Sequence, residues 1–253
     1  MIIRTEEELQ GMKNVSEAVA LTLQKMKAYT ETGMSTKDID DYGRQLLEAL
    51  GARSAPFETY SFPGYSCISV NNAFAHGIPS DKVILKNGDI INIDVSAELG
   101  GFWADNGCSF IVGEDIQELQ HLIDTSQAIL LEAIAQISGG SKISDTGKLI
   151  ETMAKKAGYT VIRDLGGHGV GRSLHEEPDA IMNFYDRYDH SRRFRKDSTV
   201  AIETFISTGS THVVTAADGW TFTGNKGGFV AQHEHTILIT ANEPIILTAA
   251  NGI

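Results

Sequence analysis

Cysteine is nearly absent. Cys67 and Cys108 are the only two in 253 residues, which rules out a disulfide framework and suits the reducing cytoplasm, where the protein is expected to reside. Positive charge is also short: 21 Lys and Arg stand against 33 Asp and Glu, a net charge of −12. Nucleic-acid binding needs concentrated positive charge, so DNA is not expected as a partner. No run approaches the ~20 apolar residues of a membrane span, and the opening MIIRTEEELQ lacks the apolar core of a signal peptide. What is present, 42% hydrophobic and 21% charged residues, is the composition of an ordinary globular protein. A chain near this length buries roughly three quarters of its extended surface and needs no staples. Nothing on the helical faces calls for an obligate partner, so a monomer is expected.

The stretch Gly88–Val112, GDIINIDVSAELGGFWADNGCSFIV, organises the rest. A β-branched run from Ile90 to Val95 precedes the turn signal Glu98-Leu99-Gly100-Gly101, and Phe102 to Val112 returns. A four-residue loop would place Asp94 directly opposite Asp105. A two-residue Gly100-Gly101 turn would offset the pair by one diagonal but keep both on one face. Two carboxylates that close inside an apolar hairpin share a proton or hold cations; solvated aspartates beside a turn are the alternative.

Helices flank this hairpin. Thr5 with Glu8 reads as a capping box, and Met12, Val15, Val19, Leu23 and Met26 then recur at helical spacing. A second helix is expected from Ser35–Thr36 to Gly51, then a loop-rich extended region from Pro56 to Pro79. Beyond Gly113, a stripe from Ile116 through Leu119, Ile123, Leu130 and Ile134 to Ile137 predicts a third helix, and a fourth spans about Ser144 to Ala157. Ile39, Asp41, Gly43, Arg44 and Leu46 match Ile143, Asp145, Gly147, Lys148 and Ile150 at a constant offset, and Ile91–Asp94 matches Val200–Glu203. One domain over 1–253 is expected, built from related halves of about 1–112 and 113–253. A two-fold plan would bring carboxylates from both halves to the axis, where a bridging metal pair would sit.

Further groups join the two aspartates. His168 lies among glycines in GGHGVG, which permit close backbone approach. Glu203 and Glu234 sit in apolar strand-like runs, where a carboxylate is costly unless paired. Two Asp, one His and two Glu form an oxygen-rich set with one nitrogen, which suits Mn, Fe or Co better than a thiolate zinc site would.

AHGIPS (Ala75–Ser80), NIDVS (Asn92–Ser96), GGHGVGRSLHEEP (Gly166–Pro178), AIE (Ala201–Glu203) and AQHEHT (Ala231–Thr236) resemble the type I methionine aminopeptidases. The likeness runs over essentially the whole chain, with the motifs in the family's order. It implies the α/β (α+β) pita-bread fold, a curved antiparallel sheet flanked by two helix pairs, and the removal of initiator methionine before a small second residue from peptides and nascent chains. It also implies two divalent ions (Co, Mn, Fe or Zn), with a monovalent cation as a further possibility, held by Asp94, Asp105, His168, Glu203 and Glu234. By motif, Asp94 binds one ion bidentately, Asp105 and Glu234 bridge, and His168 and Glu203 complete the other. Such a pair binds and deprotonates a shared water and polarises the scissile carbonyl. The resemblance makes Glu203 a proton shuttle as well, His175 the stabiliser of the oxyanion, and His76 a contact for the scissile amide or the next residue. Phe62, Cys67, Leu174 and Trp220 resemble the lining of the methionine pocket.

Some positions depart from the pattern. Thr204 stands where the family usually has proline, and Leu174 where some members carry an aromatic residue. The short gap from His168 to Glu203 leaves no room for the inserted subdomain of the type II enzymes, and the chain resembles the short bacterial form. His233 and His235 flank Glu234 on the opposite strand face and read as packing residues. The run Arg187 to Lys196, with Arg192, Arg193, Arg195 and Lys196, is locally basic; it reads as a solvated loop, with ribosome contact as the alternative. Within the fold, the competing function is that of Xaa-Pro aminopeptidases; outside catalysis, it is a silent pita-bread binding protein.

Overall fold

The computed structural model describes residues 1–188 and 190–253; residue 189, inside the basic run, lies outside the described residues. The first helix, α1 (Glu6–Tyr29), starts where Thr5 accepts from the Glu8 N–H. The return bond of the expected box lands one residue earlier, with the Arg4 N–H donating to Glu8 Oε2 at 2.7 Å. α2 (Thr36–Ala49) opens with a complete capping box between Ser35 and Asp38. The region expected to be loop-rich is more ordered than its turn residues suggested. It contains β1 (Arg53–Ser54), a short α3 (Ala55–Tyr60), β2 (Cys67–Val70) and β3 (Ala73–Ala75). Pro56 in the first turn of α3, with Ser54 accepting from the Phe57 N–H, accounts for that helix.

The central hairpin is β4 (Ile90–Leu99) and β5 (Phe102–Ile111). Its turn has two residues, Gly100 and Gly101, both at positive φ (62° and 83°), the backbone that matches strand twist in a tight hairpin. Leu99 therefore pairs with Phe102, Asp94 with Gly107, and Asp105 with Ser96. The directly opposed aspartates of the four-residue loop are not formed; the diagonal arrangement is.

The second half supplies α4 (Gln120–Ala135), α5 (Ile143–Lys156), β6 (Thr160–Val161), β7 (Gly166–Gly169), β8 (Glu176–Met182), β9 (Thr199–Ser207), β10 (Val213–Thr215), β11 (Phe222–Gly224), β12 (Val230–Leu238) and β13 (Ile245–Ile246). Ile116 is not part of the helical stripe and is 62% exposed. Asp115 accepts from the Leu119 and Gln120 N–H groups, and Glu118 sits at φ 56°, so the helix cannot begin before them. Ile137 falls beyond its end.

The strands form one antiparallel sheet in the order β1-β4-β5-β12-β9-β7-β8, with β2 added to β4, β6 to β9 and β13 to β12; β10, β11 and β3 make a separate small sheet. Alternation along β4 sends Ile91, Ile93 and Val95 toward Met12, Val19 and Leu23 of α1. α4 and α5 bury Leu122, Ile123, Ile129 and Ile150 against Ile206 and Ala231 of β9 and β12. One helix pair thus covers each half of the same sheet face. Asn92, Asp94 and Ser96 are left on the other.

Candidate metal centre and active site

The pairing registers place the acidic residues in adjacent rows on the helix-free face. One row runs Cys67, Asp94, Gly107, Glu234, Glu203 across five strands. The neighbouring row holds Ser96 beside Asp105 on one side, and Thr236, Ala201 and His168 on the other. The Asp105 N–H donates to Thr236 Oγ1 at 3.0 Å, joining the two sides. Period-two alternation in five strands, rather than any loop, brings these groups together.

Asp105, His168 and Glu234 each offer a ligand atom within 4.8 Å of the others, and His168 Nε2 lies 3.8 Å from Asp105 Oδ2. The other His168 nitrogen, Nδ1, is 3.0 Å from the Gly169 carbonyl oxygen, a contact that turns Nε2 into the centre. Burial raises Asp94, and the charges of Asp105 and Glu203 add to it. Burial lifts Asp105 to about 6 and Glu203 to about 8, the latter with help from Asp105. Glu234 is also pushed well above the usual carboxylate range by burial and by the same neighbours. Burial takes His168 down to about 3, which keeps it neutral and free to ligate.

The donor set fits divalent cations. Asp105 Oδ1 and Glu234 Oε1 are buried and have no hydrogen-bond partner among the described residues. Buried charge at this density is stable only when paired or when coordinating metal, and carboxylates with one imidazole suit hard to borderline ions.

The eleven residues singled out in the sequence line one cavity of about 260 Å³. Phe62 is buried and meets Trp220 edge-on at 5.3 Å, 87°; Cys67 and Leu174 are buried beside them. His76 holds a positive φ of 52°, uncommon for a residue with a side chain and typical of functional positions. Its ring lies 4.8 Å from Phe222. The His175 ring is 4.0 Å from that of His168.

Sequence reasoning missed three groups here. Gln232 Nε2 donates to Glu203 Oε2 (3.2 Å) and Glu234 Oε2 (3.1 Å), and Asn92 Nδ2 donates to Gln232 Oε1 at 2.7 Å. Gly107 makes room for that amide: a Cβ there would lie 2.5 Å from Gln232 Oε1. Both polar residues sit two positions before a carboxylate in the same strand, so alternation alone would have found them. The third, Tyr60, bonds His175 Nδ1 at 2.6 Å and comes from a helix the sequence did not announce.

Other expectations concern the back of the sheet. His233 bonds Ser126 at 3.1 Å and His235 bonds Thr248 at 2.8 Å, both buried away from the cavity. Thr204, where proline was expected, uses its hydroxyl to reach Ser126 Oγ of α4 at 2.9 Å. Glu203 keeps its place opposite Glu234, so the missing proline does not displace it.

Metallopeptidase family M24 matches over residues 10–241. Methionine aminopeptidase 2 of Bacillus subtilis is 47% identical over 248 residues, covering 98% of this chain and 99% of that protein. A crystal structure of methionine aminopeptidase from Thermotoga maritima superposes with a TM-score of 0.91 at 35% identity, covering 98% of this chain and 99% of that one. An X-Pro aminopeptidase structure from the same organism reaches a TM-score of 0.74 at 18% identity and is covered over 61% of its length, a likeness of fold alone.

Proposed function

The chain belongs to metallopeptidase family M24, and on that premise we infer that it hydrolyses the peptide bond after an N-terminal methionine. The observation that carries this reading is the convergence of four carboxylates and one imidazole on a cavity whose other wall is aromatic and apolar. Asp94, Asp105, His168, Glu203 and Glu234 are the residues to hold two divalent ions. Asp105 and Glu234 each keep an unpartnered buried oxygen that would be available to ligate. When bound, such ions polarise a carbonyl and make water acidic enough to attack near neutrality.

The side chains do the rest. Phe62, Cys67, Leu174 and Trp220 seat an unbranched thioether side chain and exclude water from it. A carboxylate-lined floor receives the free α-amine, which restricts the enzyme to N-terminal residues. His175 donates an N–H to the scissile carbonyl oxygen as negative charge develops there. Glu203 takes a proton from the attacking water and passes it to the departing amine. His76 contacts the scissile nitrogen or the residue beyond, and its constrained backbone fixes that approach.

No helix among the described residues is long and apolar enough to cross a membrane. Two free, buried cysteines support a cytoplasmic setting, where nascent chains with a small second residue are the substrates. The two helix pairs on one sheet support a single domain of two related halves.

Metal-dependent release of methionine from a Met-Ala-Ser peptide, compared with cleavage of a Xaa-Pro peptide, tests the reading. Methionine release that chelation abolishes and Mn²⁺ restores is expected. Preferential Xaa-Pro cleavage, or no hydrolysis at full metal occupancy, would overturn it.

A further inference from the structure

We propose that Tyr60 is a positioning residue for His175: its hydroxyl donates to Nδ1 and so reserves the Nε2–H for the substrate carbonyl oxygen. The inference rests on the role given to His175 above and adds a device that sets its tautomer.

Neutral imidazole carries one N–H and one lone pair, and the bond made by one nitrogen decides what the other can do. The Tyr60 hydroxyl lies 2.6 Å from Nδ1, and among the described residues no other group hydrogen-bonds the ring. A phenol donating there leaves the proton on Nε2. The reverse arrangement, with Nδ1–H donating to the phenol, would present a bare lone pair where an oxyanion needs a donor. The two rings sit 5.8 Å apart and tilted, and on its other side His175 packs against His168. The imidazole is therefore held between a tyrosine and a metal-ligating histidine, each limiting its rotation.

Tyr60 is itself held in place. It is the last residue of α3. Ser61 follows in the left-handed region at φ 55° and closes the helix, with the Ser61 N–H donating to the Phe57 carbonyl at 3.1 Å and the Phe62 N–H to that of Pro56 at 3.3 Å. Phe62 then inserts into the pocket against Trp220. One short segment thus delivers a pocket wall and the partner of His175. Tyr60 is 46% exposed at the cavity rim, so removal of its hydroxyl alone leaves the packing intact.

The test uses the full chain with Tyr60→Phe, His175→Ala and both changes together, loaded with Mn²⁺ and given Met-Ala-Ser. Loss of one neutral hydrogen bond predicts a kcat about three- to tenfold lower in Tyr60→Phe, with KM and metal stoichiometry unchanged. The double variant is expected to match His175→Ala, because Tyr60 acts only through that ring. Nitrogen NMR of histidine-labelled, metal-free protein reads the tautomer directly. The wild type should show Nε2–H at His175, and Tyr60→Phe a mixture of both forms. An unchanged tautomer, or a further loss when Tyr60→Phe is added to His175→Ala, would overturn the proposal while leaving the role of His175 standing. Wild-type turnover in His175→Ala would instead overturn that role, and the NMR result would still decide whether Tyr60 sets the tautomer.

Discussion

Gly167 offers a direct test of how the sheet sets the metal centre. It precedes His168 in β7, and a Cβ at this position would lie 2.3 Å from the Ala201 carbonyl oxygen of β9. Ala201 is also the register partner of His168, so backbone, not a yielding side chain, stands in the way. Contacts below 3.0 Å are essentially unknown for real Cβ atoms, so β7 must retreat from β9 by at least about 0.7 Å in Gly167→Ala. Overpacking of this kind costs about 1–3 kcal/mol of stability. Catalysis is more sensitive: a displacement near 1 Å in a reacting geometry can lower the rate by about 10²-fold. The variant should therefore fold, with a lower midpoint in urea. It should bind Mn²⁺ more weakly by calorimetry and release methionine about 10²-fold more slowly at equal metal occupancy. Gly209→Ala is the control, since its Cβ would meet nothing within 4 Å. If Gly167→Ala kept wild-type metal affinity and turnover, the spacing of β7 and β9 would not be what aims His168.

Asp105→Ala or Glu234→Ala should abolish turnover and reduce metal content by elemental analysis; full activity in either would remove the bridging assignment. Thr204→Val deletes a buried hydroxyl bonded to Ser126 on the face away from the cavity. It should cost about 1–2 kcal/mol in urea denaturation with methionine release unchanged, and a large loss of activity at unchanged stability would contradict that placement. Asp40 accepts from the Tyr65 and Ser66 N–H groups and the Ser66 hydroxyl, yet burial, the larger effect, raises its pKa above 3.8. Its favourable contribution is therefore complete below the unfolded pKa and is lost as pH rises through the folded one, so Asp40→Asn should gain on the wild type across that rise; a difference that stayed constant as pH rose from the ordinary carboxylate value would refute the sign. In the basic run, Arg192 bonds Asp179 and the Ala180 carbonyl, Arg193 the Gly140 carbonyl, and Lys196 lies 3.7 Å from Asp197. With these charges engaged locally, reversal at Arg193 and Lys196 should leave ribosome co-sedimentation unchanged, and a lost pellet would establish the contact.

Much of the site was legible because its residues obey strand periodicity. Asp94 and Asp105 fall on one face whichever of the two turns joins β4 to β5, so the choice between a four-residue loop and the observed Gly100-Gly101 turn could not move either carboxylate off the centre. Glu203 and Glu234 were visible as charges inside apolar runs, a conflict that only burial with partners resolves. Tyr60 escaped notice because its position depends on α3, a helix too short for periodicity to show and defined by a serine cap and a left-handed Ser61. The start of α4 was misplaced for a related reason: Ile116 fits the apolar spacing, but the Asp115 carboxylate and the Glu118 backbone decide where the helix opens. Local hydrogen bonds overrode hydrophobic pattern at both sites.

Gln232 shows why the rest of the centre could be read once the strands were known. Its amide bridges Glu203 and Glu234 while its carbonyl takes the Asn92 amide, so both carboxylates are oriented by one side chain from their own face. That side chain fits only because β5 presents glycine at 107 in the row that carries Asp94 and Glu234. A fold selected for stability alone would fill the gap with an apolar residue and would not bury four carboxylates together, since each is raised by burial and most by its neighbours' charge. The arrangement makes physical sense as a cradle whose cost is offset when divalent cations bind the native state and not the unfolded one. The same glycine that looks like a packing defect in β5 is what lets Gln232 set the aim of the two glutamates.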